Sequence, residues 1–269
     1  MKVSPLRAFV KHVDREYLGN FLSRFFKRKS VSRKELNPEE KEVVRRDIIH
    51  QVHLPVPSDK DLRRVDIIIL KYKEPEVEVR CAKEIIENTE WPYKLTFYDN
   101  RQGTKNLAKI WNKLIRESTC DYILLLNTDA FVPKLNPCWL TRMMETFHID
   151  GCAVVLPRVT KTSCAQQRAY VAEDKSPEKM TMIFAAQCVL FKKEIFEQVG
   201  YLDEEFLLRG QDSEWAHRLL RSQYNAYLRP DVLVEHIGHY SINNAEKNEE
   251  IFGAVEAQYA IDVFNKKIK

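Results

Sequence analysis

The feature that most restricts how this chain can fold is a repeated exchange of short apolar runs and helical stretches after residue 64. Val65-Asp66-Ile67-Ile68-Ile69-Leu70 is almost continuously apolar, as in a strand covered on both faces. The spacing of apolar residues predicts helices over 76–88, 107–117 and 139–147, with strands over 93–98, 121–126 and 152–156 between them. Strands alternating with helices of ~10–15 residues imply an α/β domain, a mostly parallel sheet flanked by helices.

Such sheets bind ligands beyond the carboxyl ends of their strands. Two of the first three strands end in acidic, polar tails, Tyr98-Asp99-Asn100 and Asn127-Thr128-Asp129. One Asp after a strand is commonly a turn-former, but two at the ligand-binding end point to a site. No GxGxxG follows the first strand and no GxxxxGK[ST] occurs anywhere, so a Rossmann dehydrogenase or a P-loop NTPase would lack its phosphate cradle. Phosphates bound here need another counter-charge. A divalent metal held by carboxylate and imidazole is the obvious one.

The 269 residues are 44% apolar, with seven glycines and eleven prolines, too few for a collagenous or disordered chain. No apolar run approaches the ~20 residues of a membrane-spanning helix. Arg7, Lys11 and Arg15 interrupt the N-terminal apolar residues, so no secretory h-region is expected and the chain reads as cytoplasmic. The six cysteines form no CxxC pair and read as reduced core thiols, with a zinc cluster or disulfide framework as the lesser reading.

The charge is uneven. Residues 1–64 hold 16 Lys+Arg and 9 Asp+Glu, an excess of +7, whereas the rest of the chain carries −3. Leu6, Val10, Val13, Tyr17 and Phe21 recur there at helical spacing, and Pro55 and Pro57 read as a linker. We therefore divide the chain into a basic helical extension with linker, 1–62, and a catalytic-type domain, 63–269. The basic stripe can pack on the main domain, hold the protein peripherally on an anionic inner membrane surface, or meet nucleic-acid phosphates.

Seven segments, in order, resemble those of family 2 glycosyltransferases of GT-A fold, especially the rhamnosyltransferase-like branch. These are 65–72, the strand end 97–100 with Asp99, the helix 106–115 carrying Asn112, the run Tyr122–Asp129 with its DxD-like Asn127-Thr128-Asp129, and the late stretches 196–206 with Asp203 and Glu204, 210–218 with Gln211 and Asp212, and 232–241 with His236 and His239. The resemblance covers roughly residues 64–245. It implies a Rossmann-like nucleotide-diphosphosugar fold and a metal-dependent, inverting hexosyl- or pentosyltransferase. Asp129 and His236 would then hold Mn²⁺ or Mg²⁺, with His239 as neighbour or substitute. Asp99 would accept from the base, Lys71 and Tyr72 would flank the nucleoside, and Asn112 and Asn127 would line the donor pocket. A UDP-sugar is the first expectation for the donor.

The same resemblance places the general base at Asp212, on the face opposite the leaving group. Where the family carries an acid before this base, the chain has Gln211. Arg218 reads as structural, and Asp203 and Glu204 as shaping the acceptor side. The acceptor is expected to be a glycan. The alternative is a hydroxymethylated base in viral DNA, for which Arg158, Lys161 and Arg168 would extend the basic surface. Two further readings stay open: a non-catalytic nucleotide-sugar or glycan-binding module, and a phosphoryl or nucleotidyl transferase.

Overall fold

The computed structural model describes residues 64–72, 75–100, 106–169, 175–238 and 253–268. The basic extension 1–62, and with it the proposed domain boundary, lies outside the described residues, as do Lys73, Tyr170 and His239.

The chain enters the fold at β1 (Val65–Lys71), followed by α1 (Pro75–Asn88), β2 (Tyr93–Asp99), α2 (Leu107–Glu117) and β3 (Tyr122–Leu126). All five residues of β3 and the first five of β1 are buried, as their apolar runs require. One polar residue interrupts β1. Asp66 is buried and accepts from Lys94 Nζ at 3.1 Å, Thr96 Oγ1 at 2.7 Å and Ser118 Oγ at 2.6 Å, so its charge is met by three donors rather than stranded. Asn106 caps α2, its side chain accepting from Lys109 N at 2.8 Å.

Beyond β3 lie β4 (Ala130–Phe131), α3 (Trp139–Glu145) with a 3₁₀ turn over Thr146–His148, β5 (Cys152–Val159), β6 (Glu178–Lys179) and β7 (Cys188–Lys192). Then come α4 (Ile195–Val199), α5 (Gln211–Leu220), β8 (Asn225–His236) and α6 (Gly253–Lys267). The strands join in the order β2-β1-β3-β7-β5-β8-β4, with β6 paired to β8.

The α/β expectation holds, but the sheet is mixed. β1 pairs in parallel with β2 and β3, and β5 with β8, whereas β7 runs antiparallel to both β3 and β5. Between β5 and β7 the described residues hold the short β6 and no helix, and an antiparallel neighbour needs no crossover helix. The reversal of β7 matters for function. The carboxyl ends of β1, β2, β3, β5 and β8 and the amino end of β7 all meet at one edge of the sheet.

Two apolar layers cover the faces. Ile68, Ile123, Leu125, Val189 and Phe191 pack beneath α2, α5 and α6; Ile67, Ile69, Leu124, Leu126 and Leu190 pack beneath α1 and α3. An aromatic group fixes α5 on the first face: Trp215 lies 5.2 Å from Phe191, edge to face, and 5.4 Å from Phe196, and its Nε1 donates to Gly200 O at 2.7 Å. Phe184 is core, and all six cysteines are free and buried. Burial raises the thiols of Cys81, Cys152 and Cys188, Cys152 to about 12, which keeps them protonated. No described helix is long and apolar enough to cross a membrane.

Candidate active site

The antiparallel pairing of β4 with β8 builds the first half of the site. Its register sets Ala130 opposite His236 and Phe131 opposite Glu235, which brings the Asn127-Thr128-Asp129 turn against the end of β8. Asp129 Oδ1 lies 3.2 Å from His236 Nε2, both side chains about 95% buried. Asp129 is fixed by its own backbone as well. Ile237 N donates to its carbonyl at 3.0 Å and Gly238 N to its Oδ2 at 3.1 Å. Gly238 takes φ +81°, a left-handed conformation that turns the chain so that this N–H reaches the carboxylate.

The loop 160–169 orients the imidazole. His236 Nδ1 faces Lys161 O at 2.7 Å, and His236 N donates to Thr160 Oγ1 at 2.8 Å. The charged ring donates from Nδ1 to the Lys161 carbonyl and from Nε2 to Asp129, whereas a neutral ring that keeps its Nδ1 proton on that carbonyl leaves the Nε2 lone pair free for a cation. Burial opposes charge on the ring, but the hydrogen bond and charge of Asp129 and the Lys161 carbonyl outweigh it, so the His236 pKa is raised. A carboxylate oxygen beside an oriented imidazole nitrogen suits a hard divalent cation. Among the described residues no group of three or more His, Cys, Asp or Glu side chains is placed to hold a metal ion. A cation held by this pair would take its other coordination positions from ligand oxygens or water.

The second half is Asp212. It sits at the start of α5 behind Gly210, whose φ is +90° and where a Cβ would come within 2.9 Å of the Phe206 ring. Asp212 Oδ2 accepts from Ala186 N at 3.0 Å and Oδ1 from Ser213 N at 2.8 Å. Burial pushes its carboxyl above the ordinary carboxylate range, against these backbone donors, which favour the charged form.

Hydrogen bonds tie the halves together. Ala186 holds Asp212; the next residue, Gln187, accepts from Asn127 N at 2.9 Å. The fully buried Gln167 clamps Ala185 from behind, accepting from its N at 2.8 Å and donating to its O at 3.1 Å. One loop, 160–169, therefore supports both His236 and the segment that carries Asp212. Thr160, Gln167 and Gln187 are absent from the family motifs and no signal in the sequence singles them out, whereas Lys161, expected on a basic surface, serves here through its backbone carbonyl.

Of the other expected residues, Lys71 and Asp99 end adjacent strands and are register partners, with Tyr72 beyond them. Lys71 Nζ lies 3.7 Å from Glu78, and Asp99 is exposed at the same sheet edge. Asn112 is placed differently from the expectation. It is buried in α2 with its amide engaged, accepting from Leu202 N at 3.0 Å and donating to Leu202 O at 2.8 Å and Glu204 Oε1 at 2.9 Å. It thereby braces the 202–204 loop from α2. Arg218 is structural, forked onto Glu214 at 2.8 and 2.9 Å and donating to the carbonyls of Val199 and Tyr201.

Arg158 corrects the sequence reading. It lies inside β5, 1% exposed, donating to Gln166 O at 2.8 Å, Arg168 O at 3.2 Å and Glu178 Oε1 at 2.7 Å. It cannot contribute to a basic surface. A guanidinium at that strand position is retained because it satisfies carbonyls of the 160–169 loop that would otherwise be buried unpaired.

This architecture, a mixed sheet with a DxD-like turn at its functional edge, is the GT-A fold of glycosyltransferases. The structure is similar to that of GalNAc-T7 with UDP, GalNAc and Mn²⁺, with a TM-score of 0.50 and 12% identity over 75% of this chain and 53% of that one. In sequence, 102 residues are 28% identical to the dTDP-rhamnosyl transferase RfbF of Shigella flexneri, 38% of this chain and 34% of that protein. The chain thus spans about a third of the curated relative and about half of the solved structure. No family model matches it.

Proposed function

We propose that the protein is an inverting glycosyltransferase that moves a sugar from a nucleoside-diphosphate sugar to a hydroxyl of a glycan acceptor. The observation that carries this reading is the hydrogen-bonded link, through Ala186 and Gln187, between Asp212 and the Asn127–Asp129 turn. It sets a partly buried carboxylate and an aspartate–histidine pair at one sheet edge, as displacement of a phosphate leaving group by a hydroxyl requires.

In this reading the donor nucleotide lies over the ends of β1 and β2. Asp99 accepts the imino N–H that uracil and thymine both offer, and Lys71 and Tyr72 flank the nucleoside. Uridine and deoxythymidine diphospho-sugars are favoured, consistent with the dTDP in one relative's name and the UDP in the other's structure. Asp129 and His236 would hold a divalent cation, which would supply charge stabilisation to the departing diphosphate. Asn127 lines the pocket beside them. Asp212 accepts the proton of the acceptor hydroxyl as its oxygen attacks the anomeric carbon. Its raised pKa fits that task, because a stronger base takes a hydroxyl proton more readily, and the Ala186 N–H keeps the receiving oxygen aimed. Attack from the side opposite the leaving group inverts the anomeric centre.

The test is nucleoside-diphosphate release from UDP-, dTDP- and GDP-sugars with Mn²⁺ or with chelator, in the presence of glycan acceptors or of duplex DNA carrying hydroxymethylated pyrimidines. Release that needs the metal and is stimulated by a glycan supports the proposal. Stimulation by the modified DNA alone transfers the acceptor to nucleic acid. Pyrophosphate release identifies a nucleotidyl transferase, and no release from any donor leaves a binding module.

A further inference from the structure

Two buried acceptor atoms border the site without a donor. The Oε1 atoms of Gln187 and Gln211 are closed off from solvent and accept no hydrogen bond among the described residues. Both residues stand beside the proposed machinery. Gln187 continues the β3–β7 ladder by one step, its carbonyl accepting from Asn127 N at 2.9 Å. Alternation along the strand then puts its side chain on the face of Val189 and Phe191. That is the face covered by α5, whose Trp215 meets Phe191 at 5.2 Å. Gln211 opens α5, immediately before Asp212. The two amides therefore approach one stretch of the sheet edge from the sheet and from the helix, between Asn127 and Asp212.

A buried carbonyl oxygen without a donor is costly, so its donor comes from an ordered water or, at a binding site, from a ligand that displaces that water. An amide oxygen accepts from hydroxyls, and it does so beside Asp212 without the second negative charge that an acid at position 211 would bring. We propose that Gln187 and Gln211 read hydroxyl groups of the transferred sugar, which makes them specificity-determining residues of the donor site. The inference rests on the glycosyltransferase reading and deepens it. Each amide accepts one sugar hydroxyl, so the sugar portion of the donor adds affinity over the nucleotide alone, and a sugar lacking either hydroxyl leaves a buried acceptor unmet.

The test uses Gln187→Leu and Gln211→Leu, which keep side-chain size and remove the acceptor. Calorimetric titration with Mn²⁺ compares UDP, dTDP and GDP with their diphospho-hexoses in the full-length protein. The expected result is that wild type binds one nucleotide-sugar more tightly than the matching nucleotide, and that each leucine variant loses that preference by about tenfold. Its Tm should stay the same or rise, since no hydrogen bond of the free protein is lost. Full preference in the variants, no preference in wild type, or a Tm lowered by several degrees overturns the assignment while nucleotide binding leaves the glycosyltransferase reading standing. Failure of wild type to bind any nucleotide or nucleotide-sugar overturns both.

Discussion

Asp129 Oδ1 and His236 Nε2 face each other at 3.2 Å although 106 residues separate them, because β4 and β8 pair antiparallel one residue away. The contact joins the end of the third strand to the end of the last, and everything else at the site is hung from it. Glu235, the neighbour of His236, is held from α1 by Arg80, whose nitrogens lie 2.6 and 3.0 Å from its carboxylate and whose guanidinium stacks 3.7 Å over Phe131. The β4–β8 pair is thus clamped from outside as well as ordered from within.

If this pair receives the cation, His236→Ala and Asp129→Asn should each weaken Mn²⁺-dependent nucleotide binding by at least tenfold, read by calorimetry. Metal must displace the Nε2 proton, so Mn²⁺ affinity should rise with pH through the raised His236 pKa. Stability of the metal-free protein should move the opposite way. A folded pKa above the unfolded value of about 6.5 gives stabilisation that is complete below that value and lost as pH climbs through the folded one. Denaturant titrations from pH 6 to 9 with chelator present check the sign.

Asp212→Asn should keep donor affinity within about twofold and lower turnover by ~10²–10⁴, the usual contribution of a general base. The amide oxygen can still accept from Ala186 N, so the segment stays in place. Because burial raises the Asp212 pKa, its ionised form costs stability at neutral pH, and the variant's Tm should match or exceed wild type there. Wild-type turnover should fall as pH drops through that raised value. A variant with unchanged turnover would remove Asp212 from the chemistry.

Arg158→Ala should be among the most damaging substitutions. It removes a donor from the carbonyls of Gln166 and Arg168, at a cost of about 1–3 kcal/mol for each buried group left unmet, and an ion-pair partner from the partly exposed Glu178. Thermal unfolding should show a Tm lower by ~10 °C. Donor binding should weaken too, because the loop that Arg158 fastens carries Lys161 and Gln167. Binding of duplex DNA by the full-length protein should be unchanged once folding is accounted for, since Arg158 is not on the surface.

Asn112→Ala should separate bracing from nucleotide contact. The loss of three hydrogen bonds, two of them buried, should lower stability by about 2 kcal/mol, and nucleotide affinity should stay within about twofold if the side chain serves only Leu202 and Glu204. Calorimetric titration of UDP and dTDP on the folded variant decides. A tenfold weaker Kd would return Asn112 to the donor pocket.

Periodicity alone located β1, α1, β2, α2 and β3, with boundaries within a residue or so, because these elements bury continuous apolar stripes or runs. It missed the two-residue strands β4 and β6, too short for any pattern, and left β7, α4, α5, β8 and α6 without a prediction. The polar ends of β2 and β3 marked the ligand edge, since acidic residues after buried strands stand out against their apolar runs. Asp129, Asp212 and His236 were legible through the family motifs they complete.

The sequence by itself determined the α/β class, the strands β1, β2, β3 and β5, and the residue types available at the carboxyl edge of the sheet. Those follow from local pattern, in which each residue's preference depends on neighbours a few positions away. Only the tertiary structure decided the antiparallel course of β7 and the pairing of β4 with β8. It alone put Arg158 inside the protein and set Gln167 and Gln187 as supports between His236 and Asp212. Each of these is a hydrogen bond or ion pair between residues distant in the chain. Such contacts form because buried polar groups must find partners in space, and a linear pattern does not carry that information.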